Sequence, residues 1–237
     1  MTKEKRPVTI CHMLTSLNGK IDGEFMSHPD GQLARQHYNR IRNEFQCEAV
    51  VYGQVTMKGG YASGVRKVAE SETPLSHPQD YLACTDADHY IVSLDPQGTL
   101  CLPHGWIERK GRPAAHVIQV LSPQVSQQYC DQLRRNQVSY LILPQYECRT
   151  LLSRLAQSFG IERVLIAGGG ITDNSFLQQG VLDELSLVVA PVVETCRSAT
   201  AFETMNPQPD QPQGLQLKQA VALEGGAVWL RYQRKEK

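Results

Sequence analysis

Residues 163 to 185 read RVLIAGGGITDNSFLQQGVLDEL, an apolar run, three glycines, and a polar turn into a second apolar pattern. The run 163–167 has the length and branching of a buried strand. Thr172 or Asp173 is placed to cap a helix, Phe176 and Leu177 to anchor it, and Gly180 to end it. The glycines therefore lie at a strand-to-helix turn, where they have two uses. They let the chain bend, or they let backbone amides and the positive end of a helix dipole approach a phosphate. Spacing alone leaves both uses open. It does exclude two nucleotide loops, because neither G-x-G-x-x-G nor G-x-x-x-x-G-K-[ST] can be written through Gly168, Gly169 and Gly170.

Outward from this stretch the alternation of strand and helix recurs. Residues 8–14 read as a buried strand, and 15–30 as a turn-rich segment with Asn18-Gly19 and Asp22-Gly23. A helix is expected from near Asp30, whose carboxylate is the expected cap, with Ala34, Tyr38, Ile41 and Phe45 on one face. Further strands are expected at 49–52, 90–94, 115–121 and 139–143. Residues 53–89 have poor periodicity and read as a short helix with surface loops. Ser122-Pro123 looks like the start of a helix running to near Asn136, and Leu151, Leu155 and Phe159 mark another that stops at Gly160. Residues 184–193 are strand-like, and 215–223 faces 227–232 across Glu224-Gly225-Gly226 as an antiparallel hairpin. Strands separated by helices imply parallel pairing. The expectation is one α/β domain over residues 1–237, a mixed and mostly parallel sheet flanked by helices and ending in the hairpin.

Composition narrows the function classes. The 24 basic and 24 acidic residues balance, and no basic run interleaves with aromatics, which argues against a nucleic-acid partner. The apolar stretch 8–14 is too short to cross a bilayer. Seven cysteines without close pairs fit neither a disulfide framework nor a zinc module. The histidines form no i,i+4 pair, so no metal is expected. A reduced, cytoplasmic setting follows as the expectation. His12, inside an apolar strand, reads as a hydrogen-bonded core histidine rather than a catalytic one, and Asp183 and Glu184 as a strand entrance.

Four segments together, RPVTICHMLTSLNGKIDG (6–23), CEAVVYGQVTM (47–57), YIVSLDP (90–96) and IERVLIAGGGITDNSFLQQGVLDELSLVVAP (161–191), resemble the pyrimidine reductases of riboflavin biosynthesis. That family is a branch of the dihydrofolate-reductase-like fold. The resemblance implies an NADPH-dependent reductase, with the glycine turn holding the cofactor pyrophosphate. It carries Gly168, Gly169, Gly170, Ile171 and Thr172 into the cofactor site, with Gly53 and Thr56 as a second phosphate-side segment, Ser93 after its strand, and Thr15 toward the nicotinamide. Asn18, Lys20, Ser27 and Ala167 fall at substrate-side positions. A homodimer is also implied. Hydride transfer is the cofactor's own chemistry, so no catalytic side chain is assigned.

The substrate side departs from the family. Its S-L-D-G reads Ser16-Leu17-Asn18-Gly19, which replaces a carboxylate by an amide. Ala167 stands in place of a glutamate before the glycines, and Glu44 in place of an arginine at the end of the first helix. The D-x-P-x-L-x-x-R loop is not recognisable in MKGGYASGVRK. Arg40, Arg42, Arg66 and Lys67 are the cations that could compensate for Glu44. The implied activity is reduction of a small heterocyclic or carbonyl/imine substrate, with the family's ribosylaminopyrimidine phosphate as the orthodox case. The alternative is a non-catalytic dinucleotide-binding or regulatory module of the same fold.

Overall fold

The computed structural model describes residues 6–69, 72–143, 147–204 and 211–235. In chain order its elements are β1 (Val8–Thr15), α1 (Pro29–Glu44), β2 (Ala49–Gly53), α2 (Gln54–Gly60), β3 (Gly64–Val65), β4 (Tyr90–Leu94), β5 (Leu100–Cys101), β6 (Trp106–Arg109), β7 (Arg112–Leu121), α3 (Gln127–Arg135), β8 (Ser139–Ile142), α4 (Cys148–Phe159), β9 (Arg163–Ile166), α5 (Gly170–Gln178), β10 (Glu184–Val189), β11 (Leu215–Ala222) and β12 (Val228–Arg234). Single 3-10 turns cover Glu24–Met26 and Glu224–Gly226. The fold class is the expected mixed α/β, and the chain packs as two compact units, Met1–Pro7 with Glu48–Glu162, and Val8–Cys47 with Arg163–Lys237.

In the first unit β2, β4 and β7 pair in parallel in that order. The second half of β7 takes β8 in parallel, while its first half takes the antiparallel edge strand β6, which the sequence reading did not anticipate. All five residues of β4 are buried, as befits a strand covered on both faces. Helix α4 ends at Gly160 with φ 67°, the left-handed conformation that a glycine adopts without cost. Helix α3 starts later than expected. Ser126, not Ser122, caps it by accepting from the Tyr129 amide at 3.2 Å, so Val125 joins the core ahead of the helix.

In the second unit β1 lies between β9 and β10, parallel to both; β10 pairs antiparallel with β12, which in turn pairs antiparallel with β11. The expected hairpin is therefore present, and β12 attaches it to the parallel strands. Helix α1 buries Ala34 and Ile41. Its cap is His28, whose ring nitrogen accepts from the Asp30 amide at 3.3 Å; Pro29 takes the first helical position and moves Asp30 inside the first turn.

His12 is fully buried on β1. Its Nε2 faces the Tyr38 carbonyl at 2.9 Å, which can only accept, so Nε2 carries the proton. Nδ1 then accepts from Ser186 Oγ at 2.9 Å, and that oxygen accepts in turn from Trp229 Nε1 at 2.8 Å. The ring also stacks on Tyr38 at 4.4 Å. Burial is the largest cause that lowers its pKa to about 4, so the neutral ring is a structural connector between β1, α1, β10 and β12. Asp183 and Glu184 are structural as well. Asp183 accepts from the Thr9 amide at 2.9 Å, and Glu184 pairs with Arg231 at 2.6 Å.

Candidate functional site

Strands β9 and β1 run in parallel, with Cys11 opposite Ile166, so both leave the sheet of the second unit in the same direction. β9 passes through Ala167, which is half-buried, into the glycines and α5. Gly169 is the N-cap, and no side chain caps the helix. This corrects the expectation for Thr172 and Asp173, which lie inside α5 and are buried. At the other end Gly180, with φ 65°, closes the helix through bonds from its amide to Leu177 and from the Val181 amide to Phe176, as expected.

The three glycines have different reasons to be glycine. A Cβ on Gly168 would lie 2.8 Å from the Thr172 side chain. On Gly170 it would overlap the Thr200 carbonyl oxygen. Gly169 has φ −68° and ψ 170°, open to any residue, and a Cβ there meets nothing within 4 Å. Packing among the described residues does not require a glycine at 169. Next to it, Ile171 leaves 45% of its surface exposed at the start of the helix. An N-terminus whose first amides have no side-chain cap among the described residues, an uncrowded glycine and an exposed apolar side chain fit a dinucleotide's pyrophosphate and adjoining sugar.

A segment between the expected strands 184–193 and 215–223 joins this turn to the substrate-side residues. The Glu203 amide donates to Gly170 O at 3.0 Å, and Ile21 to Ala199 O at 3.0 Å. Lys20 Nζ donates to Ser198 O at 2.9 Å. Residues 198–203 thus strap the loop carrying Lys20 to the glycine turn. Thr15 sits at the end of β1, buried, its carbonyl accepting from Ala190 at 2.8 Å.

Asn18 is committed to the fold. Its Nδ2 donates to Glu194 O at 2.8 Å, while its Oδ1 accepts from the Glu194 amide at 3.1 Å and from Ser16 Oγ at 2.7 Å. An aspartate has no group to donate to that carbonyl, which is a physical reason for an amide at 18. Glu194 is the residue that sequence reasoning missed. It is buried, and its carboxylate accepts from the amides of Phe25 at 3.0 Å and Cys196 at 2.8 Å, bonds that hold its pKa below the usual carboxylate value. The one trace of it in the sequence is Gly23, where a Cβ would overlap the Glu194 carboxylate. Ser27 follows the turn at Phe25, exposed, its carbonyl accepting from Gln32 Nε2 at 2.9 Å. Glu44 at the end of α1 is exposed and pairs with Arg40 at 3.6 Å.

In the first unit Gly53 is the N-cap of α2, and Thr56 sits half-buried in its first turn beside Val55, which is 82% exposed. Asp95, also missed, fixes this turn. Its buried carboxylate accepts from the amides of Thr99 at 2.7 Å and Leu100 at 2.8 Å, from Gln119 Nε2 at 2.9 Å and from Gln54 Nε2 at 3.2 Å. Ser93, two residues earlier, is fully buried, and its Oγ has no partner among the described residues. Arg66 is not free to compensate for Glu44, since Glu72 binds it through two bonds of 2.6 and 3.0 Å.

A mixed α/β fold with helices entered through glycine turns is the architecture of the dihydrofolate-reductase-like proteins. The chain belongs to the family of the RibD C-terminal domain, whose match runs over residues 7–226. It is similar in structure to a pyrimidine reductase-like protein from Corynebacterium diphtheriae, with a TM-score of 0.67, 16% identity, and 98% of this chain and 93% of that chain covered. It is also similar to RibD of Acinetobacter baumannii, at TM-score 0.61, 20% identity and 98% of this chain. A third is the diaminohydroxyphosphoribosylaminopyrimidine deaminase/5-amino-6-(5-phosphoribosylamino)uracil reductase of Thermotoga maritima, at TM-score 0.62, 16% identity and 98% of this chain. The chain spans 58% of the length of each of these last two proteins. No curated protein sequence matches it. Among the described residues no helix is long and apolar enough to cross a membrane.

Proposed function

We propose that the protein is an NADPH-dependent reductase of a small heterocyclic or carbonyl/imine substrate, related to 5-amino-6-(5-phosphoribosylamino)uracil reductase but altered on the substrate side. The observation that carries this reading is Gly169, a glycine without a steric reason of its own at the N-terminus of a helix in a family of reductase domains. Gly168 to Thr172 would hold the cofactor's pyrophosphate through backbone amides, and Ile171 would cover its apolar edge. The bound cofactor supplies the hydride, while the chain binds, orients and excludes water. The commitment of Asn18 to Glu194, with an amide where the family has a carboxylate, supports a changed substrate, while Lys20, held by one bond to Ser198, keeps donors for a ligand. A homodimer is part of the proposal, and sedimentation as a monomer near 26.5 kDa counts against that part.

Titration of the chain with NADPH, followed by cofactor fluorescence, tests the reading, and no binding at high micromolar cofactor sinks it. NADPH consumption with the ribosylaminopyrimidine phosphate then separates the orthodox enzyme from one with a different substrate. Binding without turnover across a panel of heterocycles, ketones and imines identifies the non-catalytic dinucleotide-binding module instead.

A further inference from the structure

Helix α5 carries a carboxyl group that nothing in the fold explains. Asp173 lies one turn beyond Gly169, with no exposed surface, and its oxygens have no partner among the described residues stronger than the Cys11 thiol, a weak donor. Buried polar groups are nearly always paired, and an ionised carboxylate so placed is strongly disfavoured. Its one titratable neighbour is the Cys11 thiol on β1, directly opposite Ile166, the last residue of the strand that leads into the glycine turn. Burial drives both groups toward their protonated forms; the carboxyl raises the cost of ionising Cys11 further, while the thiol's hydrogen bond only partly offsets the burial of Asp173. The other carboxylate at the glycine turn among the described residues is Glu203, whose side chain packs against Gly170 and whose Oε1 accepts from the Thr200 amide at 2.8 Å. The pair is therefore a neutral acid and a neutral thiol beneath a helix terminus that attracts anions.

We propose that Asp173 sets the charge accepted at the glycine turn: as the neutral acid it lets an anionic group settle on the N-terminus of α5, and once ionised it repels that group. This rests on the reading of the turn as a pyrophosphate site, and it makes binding there release with rising pH. An unscreened negative charge one helical turn away acts on the anion through protein rather than water, where Coulomb repulsion is strong. Linkage requires the reverse effect as well, so a bound anion must hold the proton on Asp173 more tightly.

The test is the NADPH dissociation constant of the full chain, measured by fluorescence from about pH 7 to about pH 10, for the parent, Asp173→Asn, Asp173→Leu and Cys11→Ala. The parent is expected to weaken at least roughly tenfold across this range, Cys11→Ala to follow it, and both Asp173 variants to change less than about twofold. Two residue-173 variants guard against one that fails to fold. A parent whose affinity is constant with pH overturns the proposal, as does a slope that survives in the Asp173 variants or vanishes in Cys11→Ala. Absence of NADPH binding at every pH is a different result, because it removes the pyrophosphate reading itself.

Discussion

Gly169 and Gly170 are adjacent, yet alanine should be tolerated by the fold at the first and not at the second. At Gly169 the backbone already has angles that alanine adopts freely, and the new Cβ meets no atom within 4 Å. Restricting the unfolded chain favours such a replacement by about 0.4–1 kcal/mol, and the poorer fitness of alanine at an N-cap offsets about as much. In a chain of this size the unfolding midpoint therefore stays within about 2 °C of the parent. At Gly170 the Cβ runs into the Thr200 carbonyl, a backbone atom of the strap that also holds Gly170 through the Glu203 amide. Overpacking of this kind costs about 1–3 kcal/mol and lowers the midpoint by roughly 2–12 °C. Cofactor affinity should separate from stability. A methyl group at 169 keeps the pyrophosphate from at least one amide, a charge-assisted bond of about 1.5–3 kcal/mol, so affinity falls by roughly 10- to 150-fold. The assay is thermal unfolding with and without NADPH, together with a fluorescence titration, for both variants. A Gly169→Ala protein that is as stable as the parent and binds NADPH as well would falsify the pyrophosphate reading and leave the glycines as a bend. A Gly169→Ala protein destabilised as much as Gly170→Ala would refute the steric argument itself.

The buried histidines predict acid sensitivity. His12 and His116 are held neutral, each with its pKa lowered from 6.5 to about 4, chiefly by burial. Since the unfolded chain takes up these protons first, their contribution is complete above pH 6.5 and is lost as pH falls toward 4. That is roughly 3 kcal/mol for each ring, visible as a falling urea midpoint between about pH 7 and about pH 4, with a smaller fall in His12→Gln. A midpoint that does not change over this interval refutes it. Asn18→Asp should open the contact with Glu194, because a carboxylate faces a carbonyl where an amide donated. The unfolding midpoint should drop by about 2–6 °C at neutral pH and recover in part in acid, where the new carboxyl regains a proton to donate. An unchanged midpoint would show that the bond contributes nothing net.

The elements were legible wherever apolar spacing, a turn glycine or a hairpin marked them, as in β1, β4, α4 and the β11–β12 pair. Helix starts were read less well. Asp30, Ser122, Thr172 and Asp173 all have side chains that can cap, but the caps are His28, Ser126 and Gly169. Capping depends on which residue first leaves helical geometry, and that is set by what the preceding loop packs against rather than by residue type. The edge strand β6 was missed because Trp106 to Arg109 is mostly exposed and carries no alternation.

For the site, the sequence by itself determined the family and the positions of the glycine turns, because glycine turns and strand patterns are local and survive translation into one dimension. It determined that a carboxylate was missing at 18 and at 167, but not what took its place. Only the tertiary structure showed that Asn18 is held by Glu194, some 176 positions away, and that residues 198–203 strap Lys20 to Gly170. It alone distinguished Gly169, which nothing crowds, from Gly168 and Gly170, which packing explains. The physical reason is the same in each case. Whether a polar group is free to meet a ligand depends on the partners that folding brings to it, and a buried carboxyl such as Asp173 looks in the sequence like any solvated one.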